Sequence, residues 1–180
     1  VLLCVHRTQR PFPHSDVAED DELKTIMTTR GLQRLKQLGV AHEPLVYRYD
    51  RMGARIAADA LDLPHDMVLK SLVFRAGDGS FLFALVSADA NVSTRKLGRA
   101  LGQKHVEPAA PRDAERLTGY QVGGISPLGA RRKLPVVIDA ETATHPELVI
   151  NAGSRGTLVR LLTEDLIRCT DADVADIRAS

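Results

Sequence analysis

A chain of 180 residues, 44% apolar and 26% charged, is long enough to bury about 70% of its unfolded surface around one core. Its 24 basic against 23 acidic residues exclude a uniformly basic nucleic-acid binder, and the absence of Trp, with 4% aromatics, excludes a face of base-stacking rings. No apolar run approaches membrane-spanning length, and two cysteines near opposite ends, Cys4 and Cys169, suit a reduced cytoplasmic protein better than a disulfide framework.

Residues 1–26 read differently from the rest. Val1-Leu-Leu-Cys-Val5 is too short for a signal-peptide core, and 16–22 is an acidic run. We expect an extension poorly ordered to about Asp21, followed by one domain over 27–180. Thr29 is placed to cap a helix over 30–38, with Leu32, Leu35 and Leu38 on one stripe and Gly39 as the stop. A strand over 43–49 and a short helix over 54–61 follow. Residues 67–75 and 80–87 read as a hairpin joined by Ala76-Gly-Asp-Gly79, and the apolar run 81–86 predicts a strand covered on both faces.

Period-two alternation along 67–75 places Val68, Lys70, Leu72 and Phe74 on one face. An ammonium among three large apolar side chains must find an anion or shift its pKa. Snorkelling at a strand end, or pairing with a structural carboxylate such as Asp139, satisfies the same pattern.

Ser93 is expected to cap a helix to Leu101, with Arg95, Lys96 and Arg99 away from its apolar side. A helix opened by Pro111 or Arg112 ends before Thr118. Further strands are expected over 134–138, ending at Asp139, over 148–151 and over 157–162; Thr163 is set to cap a helix, and 171–178 reads as another. Short strands among helices predict an α+β fold, a closed or nearly closed mixed β-barrel with helices outside.

Thr118-Gly-Tyr-Gln-Val-Gly-Gly-Ile-Ser-Pro-Leu-Gly129 holds four glycines and one proline in twelve residues. Such a segment either presents N–H groups to an anion or an ester carbonyl, or is an ordinary structural turn. It is not a nucleophile elbow: Ser126 precedes Pro127, which has no N–H, and the next glycine, Gly129, falls one position late. The Ser126 hydroxyl is left to bind substrate or to tie down the turn. The histidines, His6, His14, His42, His65, His105 and His145, are scattered, and neither HExxH nor CxxC occurs. The chain therefore reads as lacking both a metal centre and a nucleophile of its own.

Lys70-Ser-Leu, the twelve-residue segment 118–129 and Asn151-Ala-Gly-Ser-Arg-Gly156 together resemble the YbaK/EbsC family over about residues 27–178. These proteins are freestanding relatives of the editing domain of bacterial prolyl-tRNA synthetase. The resemblance implies a mixed β-barrel with Lys70, Gly124 and Ser126 as catalytic residues. It implies that Tyr49, Ser71, Tyr120, Gly123, Ile125, Asp139, Gly153 and Arg155 bind substrate, with no metal or other cofactor. Departures from the family pattern bear on specificity: Ser71 stands where Thr is frequent, the segment between Tyr49 and Lys70 is shorter, Val86-Ser-Ala replaces Val-Pro, and 151–155 has lost one basic residue.

The form of the central motif is most similar to the deacylase that removes cysteine from mischarged Cys-tRNA(Pro). There the substrate thiol attacks its own ester and leaves as a thiolactone. The resemblance then assigns Lys70 to a phosphate or the terminal ribose, and the amides of 123–125 to the carbonyl oxygen. Arg131, Arg132 and Lys133, and after them Arg95, Lys96 and Arg99, are the expected tRNA contacts, with prolyl-tRNA synthetase as a partner. Two alternatives remain at this point. One is a sibling deacylase acting on Ala- or Ser-tRNA through water, and the other is a non-catalytic module that binds tRNA or a nucleotide.

Overall fold

The computed structural model describes residues 29–179; the expected extension 1–26 and Cys4 lie outside the described residues. Helix α1 (Arg30–Gln37) starts where Thr29 Oγ1 accepts the Leu32 N–H at 3.3 Å, and buries Gly31, Leu32 and Leu35. Gly31 lies flat on the sheet below: a Cβ there would be 2.3 Å from the Ala152 carbonyl oxygen. Strand β1 (His42–Val46) is shorter than expected, because the chain leaves its partner after Tyr47 donates to Gly156 O at 3.0 Å. Helix α2 (Ala54–Ala60) leads to the hairpin of β2 (Leu69–Ala76) and β3 (Phe81–Ser87), paired with Lys70 opposite Val86.

Helix α3 (Thr94–Ala100) begins at a Ser93 cap, its hydroxyl accepting from Lys96 N–H at 3.3 Å. Strand β4 (Val106–Pro108) and helix α4 (Pro111–Thr118) come next, and Gly119 ends α4 in the left-handed region, φ 70°. Beyond the glycine-rich turn lie β5 (Val136–Asp139), a 3₁₀ turn (Thr142–Thr144), β6 (Glu147–Ser154), β7 (Thr157–Leu162), helix α5 (Thr163–Thr170) and β8 (Ala172–Ala175).

Two local expectations fail at this end. Leu162 occupies the cap position of α5; Thr163 is already helical, and its hydroxyl donates to His145 O. Residues 171–178 do not form a helix. Asp171 turns the chain through φ 57°, and β8 then pairs in parallel with β5, Val136 opposite Ala172. A free sheet edge outweighs local helical propensity there.

The fold is α+β, as the sequence predicts, but among the described residues no ladder closes a barrel. The strands form a three-stranded sheet, β1-β7-β6, and a five-stranded one, β4-β2-β3-β5-β8. The β3–β5 and β5–β8 pairings are parallel, and the others are antiparallel. An isolated bridge, Val68 to Val149, joins the sheets, supported by Val149 N–H donating to Met67 O at 2.9 Å. The main core lies between them: Leu69, Phe83, Leu85 and Ile138 meet Leu148, Ile150 and Val159, sealed by Leu35 and Leu117. Each such side chain contributes about 1.5–3 kcal/mol on burial. On the outer face of the larger sheet, Leu82, Ala84 and Val86 pack with Leu97 of α3 and Ile177, so β3 is covered on both sides. Among the described residues no helix is long and apolar enough to cross a membrane.

Candidate active site at the unpaired edge of β2

The place where the barrel fails to close is a cavity. On the edge away from β3, β2 bonds with β4 at Phe74, Arg75 and Ala76, and with the smaller sheet at Val68. Between those points the strand edge borders a space of about 490 Å³, lined by every residue from Val68 to Phe74. Met52 and Gly53 before α2, Pro111 and Ala114 of α4, and Val122, Gly123 and Ile125 of the glycine-rich turn supply other walls.

Lys70 is half-buried here, and its ammonium donates to the Ala90 carbonyl and, at 3.3 Å, to Asn91 Oδ1. Burial holds its pKa below the ordinary lysine value, the Arg55 guanidinium lowers it further, and Asp89 opposes them. No carboxylate forms an ion pair with Lys70 among the described residues, so pairing with Asp139 does not occur. Asp139, 1% exposed, accepts from Thr142 N and Oγ1 at 3.1 Å, from the Ile177 and Arg178 amides at 3.3 and 3.1 Å, and from Arg178 Nε at 3.4 Å. Expected among the substrate-binding residues, it does not line this cavity and ties the C-terminal segment to β5.

That tie reaches Lys70 indirectly. Arg178 donates to Ser87 Oγ at 2.8 Å, Ser87 Oγ donates to Asp89 Oδ1 at 2.6 Å, and Arg55 bonds the Ala88 and Asp89 carbonyls at 3.2 Å. The turn that receives the ammonium is thus braced from α2 and from the C-terminus. The sequence reading missed Arg55, Asn91 and Arg178, because nothing local connects a turn at 88–91 with a lysine twenty residues earlier.

Ser71, next along the strand, has a buried hydroxyl with no hydrogen-bond partner. A buried polar group left so costs about 1–3 kcal/mol, and a ligand in the cavity would relieve it.

The glycine-rich turn is held by close main-chain approach. Tyr120 OH donates to Leu128 O at 2.7 Å; burial pushes its phenol above the usual range despite Arg30, so it stays a donor. Gly123, at φ 92°, lets Tyr49 OH come within 2.8 Å of where a Cβ would be, and its carbonyl accepts from Asn151 Nδ2 at 3.2 Å. Asn151 Oδ1 also accepts the Gly153 N–H at 2.7 Å, so this one side chain joins two loops. Asn151 lines the cavity and was missed as a site residue, although the motif containing it was visible. Arg155 Nε donates to Val122 O at 3.0 Å, with its guanidinium 5.6 Å from the Tyr49 ring centre.

Two residues expected to be catalytic are engaged within the turn itself. Ser126 is fully buried, its Oγ accepts the Leu128 N–H at 3.2 Å, and it lines neither cavity: it ties down the turn. The Gly124 N–H is spent on Gln121 O at 2.9 Å, and its Cα rests on the backbone of Ser154 and Arg155. Gly123 and Ile125 face the large cavity, and their N–H groups make no hydrogen bond among the described residues.

The expected site residues therefore divide. Lys70, Ser71, Gly123 and Ile125 line the large cavity. Tyr120, Gly124, Gly153 and Arg155 line a second one of about 260 Å³ behind the turn, and Tyr49 packs between Gly123 and Arg155. Arg131, Arg132 and Lys133 are exposed, with Lys133 3.4 Å from Asp171. On α3, Lys96 pairs with Asp176 at 2.8 Å, whereas Arg95 and Arg99 are exposed and line neither cavity.

Among the described residues no Cys or His lines the large cavity. Cys169 packs against the main core with its thiol pushed up by burial, an inert setting. Among the described residues no group of three His, Cys, Asp or Glu could hold a metal ion.

The sequence matches the family described as aminoacyl-tRNA editing domain over residues 51–169. EbsC of Enterococcus faecalis, named as a candidate Cys-tRNA(Pro)/Cys-tRNA(Cys) deacylase, is 26% identical over 86% of this chain and 95% of its own length. A proline–tRNA ligase of Trichlorobacter lovleyi is 33% identical over 66% of this chain, but that match spans 21% of the ligase. A crystal structure described as a candidate trans-editing enzyme for prolyl tRNA synthetase aligns with a TM-score of 0.72 at 26% identity, covering 92% of this chain and all of the other.

Proposed function

The chain belongs to the aminoacyl-tRNA editing domain family, and on that premise we propose that it removes cysteine from mischarged Cys-tRNA(Pro). The observation that carries the reading is a cavity lined by Lys70, by Ser71, whose hydroxyl has no partner, and by Gly123 and Ile125, whose N–H groups are unused, with no Cys or His lining it among the described residues. The attacking group must come with the substrate or from water. The name of EbsC favours a cysteinyl ester.

In this mechanism the cysteinyl sulfur bonds to its own ester carbon, and the carbonyl oxygen gathers negative charge. The carbon–oxygen bond to ribose then breaks. The proton lost by the thiol is regained by the ribose oxygen, giving free tRNA and a cyclic thiolactone. Two of the three Lys70 donors are held by Ala90 and Asn91, leaving one for a ribose or phosphate oxygen of the acceptor end. The Gly123 and Ile125 amides face the developing oxyanion, and the Ser71 hydroxyl meets a polar atom of the aminoacyl group. Holding the ester in a reactive conformer contributes up to about 7–11 kcal/mol. The near-neutral chain leaves tRNA selection to a partner, for which prolyl-tRNA synthetase is the candidate.

The test follows ester loss from Cys-, Ser- and Ala-tRNA(Pro). We expect turnover of the cysteinyl ester, because a hydroxyl is the weaker nucleophile and alanine carries none. Equal rates on all three would assign the attack to water. Tight binding without turnover would make the protein a binding module. Lys70→Ala should lower kcat/KM by about 100-fold or more with the fold retained; full activity in that variant removes the role given to Lys70. The pH profile should rise as the substrate thiol ionises near about 8.5. It should fall again below the ordinary lysine value as Lys70 loses its charge. For stability the sign is the reverse of a salt bridge: between the lowered folded pKa and the ordinary value the unfolded chain binds more protons, so this group's contribution rises with pH.

A further inference from the structure

The second cavity lies directly behind the glycine-rich turn: Gly123 faces the ester site and Gly124, the next residue, faces this space of about 260 Å³. Arg155 lines it and is exposed. At its Gly119 edge two further guanidinium groups converge. A Cβ on Gly119 would sit 2.9 and 3.0 Å from the terminal nitrogens of Arg30 and 3.2 Å from Arg131 Nε. None of these three arginines has a carboxylate within ion-pairing distance among the described residues.

Their donors are only partly used. Arg30 lies over the Tyr120 ring at 4.3 Å and donates through one nitrogen to Thr118 O and Gly119 O, at 3.2 and 2.7 Å. Arg155 has spent Nε on Val122 O. The Arg131 side chain makes no hydrogen bond among the described residues. The carboxylate that does bond the turn, Glu115, is occupied by the Val122 N–H at 2.9 Å. Gly119 and Gly153 leave the floor free of side chains. One fork lining a small polar hollow and two more beside Gly119 on its rim, none paired with a carboxylate among the described residues, suit the oxygens of a phosphate group.

The geometry points to a second binding site here, for a phosphodiester of the RNA acceptor strand close to its 3′ end. This rests on the editing reading of the larger cavity, since a single turn separates the two and one acceptor strand would engage both. Lys133 and Lys96 are less suited to the task, each being paired with an aspartate.

The experiment measures binding of a labelled, uncharged RNA hairpin ending in CCA across a salt series. Arg131→Gln should weaken binding about tenfold at low salt and reduce the salt slope by about one, while Arg131→Lys keeps most of the slope. A wild-type slope in Arg131→Gln overturns the site. So does a hairpin lacking CCA that responds equally to the variant, or inorganic phosphate binding at micromolar concentration where the hairpin does not. A second arm compares cysteinyl-RNA with 3′-cysteinyl-adenosine, which carries no phosphate; the ratio of their kcat/KM values should fall about tenfold in Arg131→Gln. Should the wild-type chain cleave neither ester, the proposed reaction fails, while the hairpin slope still decides this site.

Discussion

The two walls that face each other across the larger cavity are made differently. On the β2 side the groups proposed to act are side chains, Lys70 and Ser71, carried by a strand paired along its length with β3. On the other side they are main-chain amides, brought near by residues with no side chain: Gly123 against Tyr49, Gly124 against Ser154, Gly129 against Arg30, Gly153 against Tyr120. Truncating a side chain on the first wall should remove chemistry and spare the fold. Adding one methyl group to the second should harm the fold before any chemistry is tested.

The strongest test of that contrast is Gly129→Ala. Its φ of 69° is unfavourable for alanine, and the new Cβ would lie 2.5 Å from the Arg30 carbonyl oxygen, a main-chain atom that cannot rotate away. We expect a loss of about 3 kcal/mol or more in urea unfolding. A loss within about 1 kcal/mol would show that the turn yields easily and would break the comparison.

Asp139→Asn comes next. The carboxylate is buried and satisfies donors from Thr142, Ile177 and Arg178, so its replacement should cost about 3 kcal/mol by thermal unfolding. Because Arg178 also braces the turn that receives Lys70, the surviving folded enzyme should show a displaced alkaline limb in its pH profile. An unchanged limb would separate the C-terminal tie from the site.

Ser71→Ala should have the smallest effect. Removing a buried hydroxyl that has no partner leaves stability the same or raises it by up to about 1 kcal/mol, while KM for the charged tRNA rises a few-fold. Lower stability would mean that the hydroxyl already has a partner in the free protein.

What the sequence made legible follows the same division. The Thr29 and Ser93 caps, the β2–β3 hairpin and the two-sided burial of β3 depend on neighbours in the chain, and period and turn residues report them. Period two also found that Lys70 shares a face with apolar residues. It could not show what the ammonium meets, because Ala90 and Asn91 arrive through the path of the turn after β3. The burial of Ser126 and Asp139 was hidden for a related reason: nearness to a motif in the chain does not fix which way a side chain points. Strand β8 was read as a helix because its pairing with β5 is non-local. Arg30 was invisible as a partner of Thr118 and Gly119, which lie 88 and 89 positions away.

The uncovered stretch of β2 bears on solubility as well as on chemistry. A bare strand edge ordinarily invites a neighbouring molecule to add its own strand, the first step towards aggregation. Here the edge borders a cavity whose other walls include Met52 and Pro111, rather than an open flank. We expect those walls to hinder the addition of a second strand, so that the opening which serves the proposed reaction is also guarded against sheet extension.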